Sequence, residues 1–271
     1  MKYIKLAFVL SILSIWGCAT PSFQSVPQGL QNKTDVSLVR SELLDQTNGT
    51  LMHLNDNKDV LYQQNFGGGG AAVGILLGPI GVAANAVAIE SNTKRDVELL
   101  FGKTSIDPNK VFREIVLDAG FIIQDSGSAS ASFSPYILVS KGENEVLYFA
   151  SALLVEENSA SKKRWVGRYM YQIPQNMRKE DLADGLTDEE RQDIRNSLKM
   201  GFVKLLSVYR KDSQGLLPAK SEITFKSEFV SPRFNFDLLG ELVDDDPDKV
   251  SIRSTGALFV LPKKYVTIAY K

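Results

Sequence analysis

Two stretches of the chain carry apolar residues at helical spacing. One lies between Asp107-Pro108 and Gly120, and its ends have the residue types that cap helices: aspartate as N-cap, proline at the first position and glycine after the last turn. The other follows Thr187, which has Glu190 three residues later, as in a capping box. Its apolar stripe contains Ile194, Leu198, Phe202, Leu205, Leu206 and Tyr209. We expect two helices whose stripes pack against a sheet.

Between these helices the apolar residues change to strand patterns. Three stretches separated by polar turns predict an antiparallel meander over residues 136–140, 145–155 and 164–173. The middle stretch is apolar on both faces, which is typical of a covered central strand, whereas the third alternates and suits a half-exposed strand. Beyond Gly215, short stretches separated by Pro, Gly and Asp predict a small C-terminal β unit, and whether it shares the main sheet stays open.

The most unusual segment runs from Phe66 to Ile89 and contains no charged residue. Its glycines Gly70, Gly74 and Gly78 would stack along one helix face and let another backbone approach closely. This spacing resembles the glycine zipper of several outer-membrane lipoproteins and surface antigens. Because the Gly-Pro-Ile-Gly sequence that starts at Gly78 weakens a helix, we expect two short helices joined there. Two interpretations stay open: a hairpin packed inside the fold, or a membrane-touching or oligomer-forming zipper.

These patterns together predict an α+β fold class. It comprises an antiparallel β-meander packed with helices, preceded by a Gly-rich apolar helical hairpin and followed by a small C-terminal β unit.

The first residues have the pattern of an export signal. Two lysines precede an apolar run, Leu6 to Trp16, which is too short to span a bilayer comfortably. Ile15-Trp16-Gly17-Cys18 resembles a bacterial lipobox, in which the cysteine is acylated and becomes the mature N-terminus. The resemblance implies that Cys18 is the lipidation site, that membrane lipid is a partner, and that Ala19 directs the protein to the outer membrane, facing the periplasm. The alternative is an ordinary signal peptide or a signal anchor with a chance cysteine.

Composition narrows the classes of function. The chain has 31 Lys and Arg against 32 Asp and Glu, so it lacks the basic excess that neutralises phosphates, and no nucleic-acid partner is expected. Cys18 is the only cysteine and His53 the only histidine. Catalysis of the Ser-His-Asp type would therefore depend on His53 alone, for which a structural role is the favoured interpretation. We predict no catalytic residue, no metal site and no cofactor.

Three motifs start a known signature without completing it. Gly67 to Ala72 fits the beginning of a dinucleotide-binding loop, but the second strand with an acidic end is missing. Gly102-Lys103-Thr104 matches the end of a P-loop that lacks its first glycine. Asp244, Asp246 and Asp248 have the spacing of a calcium loop, but a lysine stands where the invariant glycine belongs. None of these motifs predicts a site.

One basic and aromatic cluster is a candidate surface patch. Arg164, Trp165, Arg168 and Tyr169 could contact glycans or lipid headgroups. A strand with one solvent-exposed face explains the same residues.

These expectations divide the chain into five segments. They are a signal peptide at 1–17, a flexible lipid-anchored tether at 18–34, short strands plus the glycine-rich hairpin at 35–105, an α+β helix-meander-helix domain at 106–212 and the C-terminal β unit at 213–271. The layout resembles a set of uncharacterised proteobacterial outer-membrane lipoproteins, a resemblance that transfers no catalytic residue. It implies a lipid-anchored cell-envelope protein that acts by binding an envelope protein or by structural interaction. The alternative is a self-associating accessory of an envelope secretion or assembly system that uses the glycine zipper.

Overall fold

A computed structural model describes residues 23–66, 78–158, 164–232 and 236–271, without the side chains of residues 78–84. In these residues the helices are α1 (Gly78–Leu100), α2 (Pro108–Val116), α3 (Lys179–Asp184) and α4 (Asp188–Ser213). The strands are β1 (Asp35–Leu38), β2 (Leu51–His53), β3 (Val60–Gln63), β4 (Ile122–Ile123), β5 (Ala131–Lys141), β6 (Val146–Glu157), β7 (Val166–Arg178), β8 (Ser221–Lys226), β9 (Leu238–Asp245), β10 (Lys249–Arg253), β11 (Leu258–Pro262) and β12 (Thr267–Tyr270).

The twelve strands of the described residues form one mixed sheet. Its order is β12-β8-β9-β10-β11-β7-β6-β5-β1-β4, with β3 also paired to β5 and β2 paired to β3. The antiparallel meander β5-β6-β7 is confirmed, but β11 pairs parallel to β7, and β1 and β3 pair parallel to β5. The C-terminal strands thus continue the sheet of the meander. The predicted fold class, an antiparallel meander with a small C-terminal β unit, is wrong because the sheet is mixed and runs through all twelve described strands.

The predicted Gly-rich helical hairpin is also wrong. In the described residues the Gly-Pro-Ile-Gly sequence lies at the start of one helix, α1, which continues without a break to Leu100. Proline fits there because the N–H groups of a first helical turn have no partner within the helix. Residues 67–77 lie outside the described residues. No helix in the described ranges is long and apolar enough to cross a membrane.

One core lies between a face of the sheet and the helices α2 and α4. Both predicted helix starts are confirmed: Asp107 accepts a hydrogen bond from the first turn of α2, and Thr187 with Glu190 forms a capping box on α4. The predicted stripe of α4 is buried. In its middle, Phe202 packs edge-to-face on Phe112 with the ring centroids 5.4 Å apart.

A second core lies on the opposite face of the sheet. Successive side chains of β6 alternate between the two cores, so that Phe149 belongs to the first and Tyr148 to the second. The second core also contains side chains of β8 to β11, including Phe225. The sheet therefore curls until its C-terminal strands cover the meander, and β6 is covered on both faces as predicted. The third meander strand, β7, alternates between buried and partly exposed residues as expected, except that Gln172 on its polar face is fully buried.

The chain is already packed on the fold at Gln24. The Gln24 side chain accepts a hydrogen bond from the backbone N–H of Arg168 at 2.8 Å. Leu30 is buried in the first core. Within the segment predicted as a tether, Gln24 and Leu30 therefore attach the chain to the fold, while residues 18–22 are outside the described residues.

Candidate functional site

A cleft of about 330 Å³ opens where the two halves of the sheet meet. Three segments line it: the β5–β6 turn with the start of β6, the end of β8 with the turn that follows, and the segment from the β11–β12 turn into β12. The lining residues are Glu143, Tyr148, Lys226, Ser227, Glu228, Ser231, Lys264, Tyr265, Val266 and Thr267. This volume is at the lower end of the range for ligand pockets, which is about 300–1,000 Å³.

The floor of the cleft is a hydrogen-bonded pair of Tyr148 and Glu228. Tyr148 is 8% exposed and its hydroxyl donates to Glu228 Oε2 at 3.1 Å. The same oxygen accepts the backbone N–H of Glu143 at 3.3 Å. Burial, and next the neighbouring Glu228 carboxylate, raise the pKa of the Tyr148 phenol far above its ordinary value. Tyr148 therefore stays protonated as a hydrogen-bond donor and cannot serve as a base near neutral pH.

Gly142 makes this close approach possible. A Cβ atom at this position would lie 2.6 Å from both Glu228 Oε2 and Tyr148 Cε2. Real Cβ atoms do not come so close to other heavy atoms, so any larger residue would push the glutamate and the tyrosine apart. The sequence contains a turn at this point, but nothing in the turn itself indicates that two distant side chains close over the glycine.

One wall of the cleft is the ring of Tyr265. This ring packs edge-to-face on Tyr148 with the centroids 5.3 Å apart. The Tyr265 hydroxyl accepts a hydrogen bond from Asn176 at 2.9 Å and donates to the carbonyl of Pro174 at 3.3 Å, so two hydrogen bonds hold the hydroxyl end of the ring. The ammonium of Lys264 lies 4.5 Å from the ring centroid. The ring face thus already carries a cation.

The charges that line the cleft are only partly paired. Within the described ranges, neither Glu143 nor Glu228 takes part in an ion pair, and Lys264 has no carboxylate partner. Lys226 lies 3.8 Å from Asp237. The cleft therefore presents two unpaired carboxylates against one unpaired ammonium, a composition that suits binding of a polar, charged ligand.

A second polar cluster fastens α1 to the sheet. Asp96 is 1% exposed. Its Oδ2 accepts hydrogen bonds from the Tyr62 hydroxyl at 2.8 Å and from the Lys141 ammonium at 3.0 Å. Its Oδ1 accepts a hydrogen bond from the Lys179 ammonium at 3.0 Å. Glu145 pairs with both lysines. Burial by itself would raise the pKa of Asp96, but these hydrogen bonds outweigh it and hold the pKa below its ordinary value. Since every charge has a partner, we interpret this cluster as structural.

The predicted basic and aromatic patch is not a continuous surface. Tyr169 is fully buried and its hydroxyl donates to Asp212 at 2.9 Å. Arg168, its neighbour on β7, points to the other face of the sheet. Trp165 packs against the first core, and Arg164 lines a different, larger groove of about 700 Å³. The alternation of β7 separates Arg168 from Tyr169, and Arg164 and Trp165 precede the strand.

The remaining predicted site residues lie apart from the cleft. Cys18, Gly70 and Gly74 are outside the described residues, and Gly78 is the first residue of α1. Lipidation and zipper contact at these positions stay predictions. His53 ends β2, where burial lowers its pKa below the ordinary value, and it does not line the cleft. Within the described ranges no group of three or more His, Cys, Asp or Glu could hold a metal ion.

The cleft residues themselves were not predicted from the sequence. They come from three segments that are polar in composition, and each segment alone has the pattern of an ordinary turn. No protein family, no curated protein and no solved structure matches this chain.

Proposed function

We propose that this chain is a lipid-anchored protein of the bacterial cell envelope that acts by non-covalent binding at the outer membrane. The anchor is supported by the lipobox-like sequence that ends at Cys18. Binding is supported by the cleft, and the observation that carries it is the hydrogen bond from Tyr148 to Glu228 at the cleft floor. This bond fixes a carboxylate at the site before any ligand arrives, which lowers the entropic cost of binding.

The composition of the cleft favours binding over catalysis. A general base needs a pKa near the working pH, whereas the Tyr148 phenol is shifted away from neutrality. His53, the only histidine of the chain, does not line the cleft. The lining groups instead form a small set of donors, acceptors and aromatic faces around a cavity, as in sites that recognise a ligand.

Mass spectrometry of the mature protein tests the anchor. Protein purified from membranes of cells that express the whole chain should begin at Cys18 and carry acyl chains. Cys18→Ser should lose both the lipid and the membrane fractionation, because two or more acyl chains are what hold such a protein stably at a bilayer. A mature wild-type N-terminus elsewhere, or one without lipid, would disprove the anchor.

Site-directed photo-crosslinking in living cells tests binding at the cleft. A photoreactive amino acid at Thr267, which lines the cleft and is exposed, should give crosslinked products. The same group at Leu216, which is 62% exposed and does not line the cleft, is the matched control. Glu228→Gln should lower the yield of crosslinked products at Thr267. Equal products at both positions, or none at Thr267, would contradict the proposal.

A further inference from the structure

We infer that the cleft binds a basic side chain, an ammonium or a guanidinium, from an extended peptide that pairs with β12. This inference specifies the ligand of the proposed binding function and rests on that function. Three features of the described residues carry it: the carboxylates, the face of an aromatic ring and a free strand edge.

The carboxylates set the sign of the ligand charge. One carboxylate oxygen of Glu228, Oε2, accepts from Tyr148 and from the backbone N–H of Glu143, and among the described residues no group donates to its other oxygen. The Glu143 carboxylate is exposed and unpaired. Carboxylate oxygens accept from N–H groups of ammonium and guanidinium in short, strong hydrogen bonds. An anionic ligand would meet repulsion from both glutamates.

The aromatic wall provides a second attraction for a cation. A cation within about 6 Å of a ring centroid is attracted by the ring, and the Lys264 ammonium lies 4.5 Å from that of Tyr265. Lys264 is exposed, and its other polar contact is a bond of 3.4 Å to a backbone carbonyl. A ligand cation with better carboxylate contacts can therefore displace it. Lys264 acts as an internal competitor, so its removal should strengthen binding.

The strand edge indicates that the ligand is a peptide. β12 is the last strand of the sheet and pairs with β8 alone among the described strands. Its first residue, Thr267, lines the cleft together with Val266. An extended peptide can add to a free edge by main-chain hydrogen bonds and present alternate side chains to adjoining pockets. A peptide laid along β12 would direct a side chain into the cleft beside Glu228.

Fluorescence anisotropy with defined peptides tests the inference on the full lipidated protein in detergent. The probe is a labelled Thr-Lys-Val-Lys-Thr peptide, compared with versions that carry Gln or Glu in place of Lys. The lysine peptide should bind saturably, the glutamine peptide about tenfold or more weakly, and the glutamate peptide weakest of all, with the difference shrinking at higher salt.

Three variants locate the binding. Glu228→Gln should raise the dissociation constant of the lysine peptide by about threefold or more, which is the effect expected from the loss of one partly exposed charge pair. Glu98→Gln removes an exposed glutamate on α1 outside the cleft and should change nothing. Lys264→Ala should tighten binding. Unchanged melting temperatures would show that the variants stay folded.

The outcomes separate this inference from the proposed function. If the glutamine peptide bound as tightly as the lysine peptide, or if Glu228→Gln had no effect on binding, the inference of a basic ligand would be overturned. Spermidine carries ammonium groups but has no peptide backbone. If it competed as well as the unlabelled lysine peptide, the inferred pairing of the ligand with β12 would be overturned. If no peptide binds while Thr267 still crosslinks in cells, the ligand class is wrong and the binding function stands. If Thr267 does not crosslink either, the binding function fails as well.

Discussion

Gly142 shows how one residue decides the shape of the cleft. Its missing side chain is what lets Glu228 and Tyr148 meet above the β5–β6 turn. At Gly127, by contrast, an added Cβ would meet no atom within 4 Å. Both positions are glycine, yet only one of them is required by a close contact.

Gly142→Ala should therefore destabilise the protein by about 1–3 kcal/mol, the usual cost of overpacking, and weaken ligand binding. Gly127→Ala is the matched control and should leave the free energy of unfolding within about 0.5 kcal/mol. Urea denaturation of both variants measures the difference. Equal stabilities would show that Glu228 moves aside freely and that the floor of the cleft is not fixed.

Asp96 gives the clearest prediction of pH dependence. Since its pKa in the folded state is lowered from the ordinary 3.8, the ionised network stabilises the fold above that pH, and the contribution is lost as the pH falls through the lower folded value. The pKa of Lys179 is raised above 10.5. Burial would lower it, but the hydrogen bonds that Lys179 donates to Glu145 and Asp96 outweigh burial. That contribution is present below 10.5 and is lost as the pH rises through the folded value.

Asp96→Asn should cost about 3 kcal/mol near pH 7, the lower end of the range for breaking a buried ion pair, because Glu145 then remains as the one described carboxylate that pairs with Lys141 and Lys179. The loss should shrink as the pH falls from about 4 through the lower folded pKa of Asp96, since the wild-type aspartate becomes protonated there as well. Asp125→Asn, at an exposed position, is the control. Melting temperatures across pH measure both. A loss that is independent of pH would mean that the charge of Asp96 does not stabilise the fold.

At the scale of elements, α4 tests the register of the main helix. Phe202 is fully buried, whereas Val203, the next residue, is 49% exposed. Phe202→Ala should cost about 3–5 kcal/mol because it removes a packed ring and leaves a cavity. Val203→Ala should stay within about 0.5 kcal/mol. Similar losses for the two variants, measured by thermal unfolding, would show that the helix is rotated from the register described.

Local signals explain which elements could be predicted from the sequence. The starts of α2 and α4 are determined by capping residues within one turn, and the meander strands follow one another along the chain, so neighbouring residues contain the information. The start of α1 was misread because Gly and Pro weaken a helix interior but are tolerated in a first turn. Gln172 was misread because a polar residue in an alternating strand normally faces water.

At the scale of the whole molecule, the pairing of β11 with β7 determines the architecture. These strands are parallel and far apart in sequence, with β8 to β10 between them, so no turn pattern indicates that they meet. The cleft has the same origin, because its three segments meet only after the C-terminal strands fold over the meander. Short-range patterns could therefore predict neither the continuous sheet nor the cleft.

A continuous sheet with two cores that share β6 should unfold as one unit. Phe225 is fully buried in the second core, whereas Trp165, the only tryptophan after Cys18, packs against the first. Phe225→Ala should cost about 3–5 kcal/mol. Because the cores are coupled through β6, the variant should lower the unfolding midpoint seen by Trp165 fluorescence as much as that seen by far-UV circular dichroism. A fluorescence midpoint that stays at the wild-type value, beside an earlier change in circular dichroism, would show that the C-terminal strands unfold separately.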